Sequence, residues 1–232
     1  MPKLSLTGDH SNVRDGFVTD GELRQLLPLL PRWLRPLVEF AYLTGWRRGE
    51  VVNLTWEQVD LAAGVIRLRH GTTKNDRARE ISYQAHPRLR AIVEGRRSRM
   101  QQLEIVTPWV FFRPDGRAPG EFRRAWKRAC IAAGHWTVKT DNEGRPQYTR
   151  NGEPQKVHTI RFHDLRRSAV RNMVRAGLPQ QVAMQITGHT TPAVFNRYAI
   201  VDSVAQDEAM TRYAALDQEP AIIAPITAAG NS

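Results

Sequence analysis

Apolar residues recur at helical spacing through most of this chain, and block after block ends on a glycine. Thr19 and Glu22 stand three apart, as a capping box requires, and Leu23, Leu26, Leu27 and Leu30 follow. The next stripe, Leu34, Leu37, Val38, Ala41 and Tyr42, stops at Gly45, and a third begins near Arg47 with Val51, Val52 and Leu54. Pro87 opens a long basic helix. Pro119 opens another, with Phe122, Trp126, Ala129 and Cys130 inward and Gly134 as its stop. The spacing predicts further helices over 164–176, 179–187, 192–198 and 204–216, with Gly177 and Gly188 as stops.

The period shortens to two in "GVIRLRH" from Gly64 and "AREISY" from Ala78, on either side of the polar turn "GTTKNDR". The apolar run "WVFF" at 109–112 is read as a third strand. The expected fold is therefore α+β, a mainly helical unit with a small antiparallel three-stranded sheet. Residues 134–158 lose helical periodicity, and their turn signals "DNEGRP" and "RNGEP" predict a surface loop or hairpin. No internal repeat is evident. Residues 1–16 read as a tail or linker, 17–200 as one folded domain, and 201–232 as a C-terminal helix and tail. That helix offers Val204, Ala205, Met210 and Tyr213 as apolar contacts, packed on its own domain or on a neighbouring copy.

A length of 232 residues allows a sizeable core without staples. The formal net charge of +11 points to a polyanionic partner, nucleic acid before an anionic membrane surface. No apolar run reaches the length of a membrane span, and the start "MPKLSLTGDH" lacks the apolar core of a signal peptide. Cys130 is the only cysteine, which excludes an internal disulfide and fits a cytoplasmic setting. No Cys/His spacing suggests a metal site.

Several cations stand where an anion could be held. His163 and Arg166 share one face at the start of a helix, where the backbone favours negative charge. Arg47 follows a helix stop and opens the next helix, with Glu50 three residues on to hold it. Lys74 sits at the tip of the polar turn. His189 follows Gly188 in a bend that solvent is expected to reach, and Tyr198 closes the next short helix. Each residue alone has an ordinary reading: paired arginines are usually solvated, a lone histidine satisfied, a helix-end tyrosine packed. Their joint order carries more.

That order resembles the tyrosine recombinase (phage integrase) family. "TGWRRGEVVNLTWEQVDL" is similar to the family's first-arginine box, and "GTTKNDRAREISY" to its β-hairpin lysine segment. "HDLRRSAVRNMVRAGLPQQVAMQITGH" resembles the H-x-L-R box running into the G-H box. "GHTTPAVFNRYAI" resembles the nucleophile box, with Tyr198 nine positions after His189.

The resemblance implies that 17–200 is a catalytic domain that cleaves and rejoins double-stranded DNA through a 3′-phosphotyrosyl intermediate, with no metal, ATP or other cofactor. It implies Tyr198 as nucleophile, Arg47 and Arg166 as clamps on the non-bridging oxygens, and Lys74 as the acid for the departing 5′-oxygen. His163 would help take the tyrosine proton, His189 would donate to the phosphate, and Glu50 would orient Arg47. Arg48, Thr73, Arg77 and Arg167 are expected to contact DNA. Arg167 stands where family members often have a histidine.

A free monomer and a tetramer on DNA are expected. Only about sixteen residues precede the pattern, where such enzymes usually carry a second clamp domain, so DNA binding by this chain alone should be weak and salt-sensitive. Arg47→Ala or Arg166→Ala is expected to abolish cleavage with thermal stability nearly intact. The alternatives are a type IB topoisomerase-like relaxer and a DNA-binding module of the same fold without cleavage.

Overall fold

A computed structural model of the protein describes residues 16–68, 78–199 and 203–216. Its helical frame follows the caps. Helix α1 (Asp20–Leu26) opens on Thr19, whose hydroxyl accepts from the Glu22 N–H while the Glu22 carboxylate accepts from the Thr19 N–H at 2.7 Å. Helix α2 (Arg35–Thr44) carries a proline in its first turn and buries Leu37, Val38, Phe40 and Ala41. It is the central post. Helices α3 (Arg48–Val52), α4 (Pro87–Gln102) and α6 (Asp164–Arg175) all pack against it.

Gly45 ends α2 with φ +65°, and its N–H donates to the Ala41 carbonyl. A Cβ there would stand 2.9 Å from the Ala169 Cβ and 3.1 Å from the Thr187 Cγ2. The glycine thus supplies the left-handed turn and also lets α2 meet α6 and helix α7 (Gln180–Thr187) closely.

Strands β1 (Val59–Asp60), β2 (Val65–Leu68) and β3 (Arg79–Ser82) form an antiparallel sheet in that order, with Ile66 opposite both Val59 and Ile81. Ile66, Leu68 and Ile81 point inward, while Arg67 and Glu80 pair on the outer face at 2.6 Å. The sheet has the three expected strands, but the third is Val59–Asp60 and not the run at 109–112. Val110, Phe111 and Phe112 are almost wholly buried in the core, and Trp109 makes only a single bridge to Thr55. A run buried on every side has no two-residue period to distinguish it from core-filling coil.

The helix expected from Pro119 begins later, as α5 (Arg123–Ala132). The Pro119 carbonyl accepts from Arg113 Nε at 2.9 Å instead of from a helical N–H.

Beyond α5, residues 134–158 are a small ribbon built on strands β4 (Trp136–Val138) and β5 (Lys156–His158). Contrary to the sequence expectation it contains a short repeat: "GRPQ" at 144–147 recurs as "GEPQ" at 152–155. The two copies fold alike. Asp141 and Thr149 donate to the carbonyls of Arg145 and Glu153, and Gly144 and Gly152 donate back to Asp141 and Thr149. Three backbone bonds of 2.8 Å then close a ring: Gln147 to Lys139, Gln155 to Gln147, and Lys139 to Gln155. The degenerate composition of the two turns hides the repeat in the sequence.

Helix α8 (Pro192–Asn196) is capped by Thr191 and buries Phe195. Helix α9 (Ser203–Leu216) lies against α6, with Met210 and Tyr213 exposed. The side chains of Val204 and Ala205 lie outside the described ones.

Gly45→Ala combines left-handed strain with overpacking at the meeting of three helices. A loss of about 3 kcal/mol in unfolding free energy is expected by urea denaturation. A loss within experimental error of zero would mean that the helix ends are free to move apart.

Candidate functional site

The α2–α3 corner places the first cation. Arg47 is the cap of α3, extended in backbone, with Glu50 in the first turn. One Glu50 oxygen accepts from the Arg47 N–H at 2.8 Å and the other from Arg47 Nη1 at 3.1 Å. Glu50 is buried and carries a second guanidinium, Arg79, at 2.5 Å. Arg48 turns away: it donates to the Gly120 carbonyl at 3.0 Å, pairs with Glu121 and lies over the Phe122 ring. Of the two adjacent arginines, Arg47 is the one that faces the cleft.

Arg79 was not among the residues singled out from sequence. It enters from β3 on the inward face, alternating with buried Ile81, and its guanidinium lies 4.7 Å from the Trp46 ring centroid. Burial lowers its pKa and Glu50 opposes the shift. Its Nη1 approaches the Thr187 carbonyl at 3.4 Å and fills the space where a Cβ on residue 188 would stand, 1.4 Å away. Gly188, which ends α7 with φ +71°, is therefore required by Arg79 as well as by its turn. The signal in the sequence was an arginine at an apolar-phase position of "AREISY".

Arg166 lies deepest, 3% exposed. Its Nη1 donates to the Gly45 carbonyl at 2.6 Å and to the Thr187 carbonyl, the ends of α2 and α7. Both are negative helix termini, so the cation is held by two macrodipoles as well as two acceptors. Burial, then repulsion from Arg47, still brings its pKa down to about 9. Nη2 is buried without a protein partner. Removal of this side chain would leave helix ends unmatched, so Arg166→Ala is now expected to cost stability. For Arg47, whose side chain is 29% exposed, a smaller cost is expected.

His189 is also buried rather than open to solvent, because the turn at Gly188 tucks it under α8. Its ring stands 5.6 Å from Phe195 and 5.6 Å from Tyr198, and Nδ1 lies 2.7 Å from the Thr187 hydroxyl. Burial first, then Arg166 and Arg47, push its pKa down to about 3. His163 stands at the N-cap position of α6, exposed and without a side-chain cap hydrogen bond. Desolvation, then Arg166, holds its pKa below the ordinary value. Tyr198 is half-buried just past α8, its ring centroid 6.3 Å from that of His163 and 5.7 Å from the Arg167 guanidinium carbon.

Arg47, Arg79, Gly188 and His189 border a cleft of about 350 Å³. Arg167 is buried beside Tyr198 rather than displayed on the surface. Thr73, Lys74 and Arg77 lie outside the described residues. Among the described residues, no cluster of three or more His, Cys, Asp or Glu could hold a metal ion, and no helix is long and apolar enough to cross a membrane.

Solved structures share this architecture. XerA recombinase superposes with a TM-score of 0.58 at 21% identity, over 85% of this chain and 65% of its own. A lambda integrase dimer bound to a COC' core site gives 0.56 at 19% identity, over 80% and 59%. The Tn1549 transposon integrase in complex with a circular intermediate DNA gives 0.59 at 16% identity, over 88% and 68%. At these identities the likeness carries the fold, that of a tyrosine recombinase catalytic domain. Residues 17–203 match the phage integrase family model, and the chain belongs to that family. The integrase of Salmonella phage P22 is 25% identical over 201 residues, 81% of this chain, which spans 44% of that protein.

The depressed histidines have a consequence for stability. Below pH 6.5 the unfolded chain protonates His189 while the folded chain keeps it neutral, so stability falls as pH drops toward 3. The loss due to His189 between about pH 7.5 and pH 5 is expected to be about 2 kcal/mol, and His163 adds to it with the same sign. Denaturation of His189→Gln at both pH values should show a flatter dependence; an unchanged slope would place the effect elsewhere.

Proposed function

We propose that the protein is a site-specific DNA recombinase or integrase that breaks and rejoins double-stranded DNA with Tyr198 as nucleophile. The observation that carries this reading is the convergence of Tyr198, His163, His189 and Arg166, from three separate segments, beside the Arg47 cleft.

A phosphodiester transition state spreads negative charge over its oxygens, and preorganised donors stabilise it most where water is excluded. Arg166 offers an unpartnered Nη2, and Arg47 a guanidinium held from behind by Glu50. Together they would clamp the non-bridging oxygens. Tyr198 would attack phosphorus to form a 3′-phosphotyrosyl bond, expelling the 5′-oxygen. Lys74, whose placement lies outside the described residues, is assigned the proton for that leaving group. His163, lowered in pKa and close to Tyr198, is assigned the phenolic proton. The covalent bond conserves the energy of the broken one, so rejoining needs no nucleotide cofactor.

His189 needs a particular protonation state. The Thr187 hydroxyl donates to the Ala183 carbonyl at 2.7 Å, so the matching neutral tautomer has Nδ1–H donating to Thr187 and leaves Nε2 an acceptor. An arriving phosphate offsets the guanidinium charges that depress this histidine. It therefore favours the imidazolium, whose Nε2–H can donate to the phosphate. Assembly of several protomers on DNA belongs to the same reading. It is supported by the fold shared with a lambda integrase tetramer bound to a Holliday junction.

A nicked suicide duplex of the correct site tests the reading. A covalent protein–DNA adduct is expected from the parent and none from Tyr198→Phe; an adduct that persists in the variant would overturn the assignment. Arg47→Ala should slow adduct formation by about a hundredfold to a thousandfold with little change in melting temperature.

A further inference from the structure

Arg167 follows Arg166 on α6, and the two guanidiniums serve different neighbours. Arg166 reaches the ends of α2 and α7. Arg167 turns toward the start of the described chain, where it is 5% exposed and pairs with no carboxylate among the described residues. Its Nε and Nη2 are buried and make no hydrogen bond. A buried cation in that state is costly and needs another source of stabilisation.

Two aromatic faces supply it. The guanidinium carbon stands 5.2 Å from the Phe17 ring centroid and 5.7 Å from that of Tyr198. Phe17 is itself fixed. The next residue, Val18, is buried and its N–H donates to the Ser168 hydroxyl at 2.7 Å, while Arg171 lies 4.7 Å over the Phe17 ring. The segment entering α1 is thus docked on α6, and Arg167 is the group that joins it to Tyr198.

We propose that Arg167 is a positioning residue for Tyr198, its guanidinium lodged beside the rings of Phe17 and Tyr198 so that the phenol is held toward His163 and His189. This rests on Tyr198 being the nucleophile. It replaces the sequence-based expectation of a phosphate contact: the guanidinium lies against the rings of Phe17 and Tyr198, apart from the helix ends that hold Arg166. The arrangement also makes the geometry of the nucleophile sensitive to how the segment around Phe17 is seated.

The experiment uses the full chain with Arg167→Met, which removes charge at similar volume, and with Arg167→Lys and Phe17→Leu. Carbon NMR of ring-labelled tyrosine at fixed pH, assigned with Tyr198→Phe, follows the environment of the Tyr198 ring. The groups facing it are His163, His189, Arg166 and Arg167.

The Tyr198 ring resonances should move in Arg167→Met and return toward the parent positions in Arg167→Lys. The rate of adduct formation at saturating suicide duplex should fall about tenfold in Arg167→Met and less in Phe17→Leu. DNA affinity and its dependence on salt should be unchanged. A salt slope reduced by about one would make Arg167 a phosphate ligand and overturn the proposal. So would Tyr198 ring resonances and an adduct rate equal to the parent's. If the parent itself forms no adduct, the nucleophile assignment fails, and the Tyr198 ring resonances still decide whether Arg167 holds that ring.

Discussion

The site hangs on a guanidinium buried between two helix ends. Arg166 has no carboxylate partner among the described residues; its Nη1 is held by the carbonyls of Gly45 and Thr187, at the ends of two helices that stop on left-handed glycines. Because the acceptors belong to α2 and α7, the cation fixes the meeting of those helices while the helices fix the cation. A dipole end stabilises a charge without neutralising it. Nη2 therefore stays unmatched, and the group keeps attraction to spare for an anion.

The second guanidinium is held by a different device. Glu50 divides its two oxygens between Arg47, partly exposed in the cleft, and Arg79, buried at the edge of the same cleft. The inner pair is buried and gives the carboxylate a fixed orientation. The outer arginine inherits that orientation while remaining partly solvated. A clamp made only of surface ion pairs would be soft, since exposed pairs contribute little and reorient easily. Backing the exposed arginine with a buried one makes it rigid where rigidity matters.

Much of the frame was legible because its signals are local. The capping box at Thr19, the glycine stops at Gly45 and Gly188, and the change of period at Gly64 each depend on a few neighbouring residues, and all appear where the pattern places them. What was misread depends on distant partners. The run 109–112 could not be told from a strand until the surrounding core was known. Nor could the burial of His189 be seen without α8 folding over it. In the sequence Arg79 is one more basic residue after a polar turn; only its phase in β3 hints at a buried partner. The eight-residue repeat is hard to see in the sequence because its two copies share a turn geometry more than a sequence.

The same contrast applies to the adjacent arginine pairs. Arg47-Arg48 and Arg166-Arg167 look alike on paper, yet each pair splits between two environments. Neighbours on a helix point about 100° apart, so one of a pair can face the cleft while the other is delivered elsewhere. Arg48 goes to Glu121 at the surface, and Arg167 goes inward to two aromatic rings. The surface arginine finds a carboxylate and is ordinary. The inward one finds none among the described residues. Since an unpaired buried cation is disfavoured unless its surroundings favour it strongly, its retention beside Tyr198 is the feature of this pocket that packing alone does not explain.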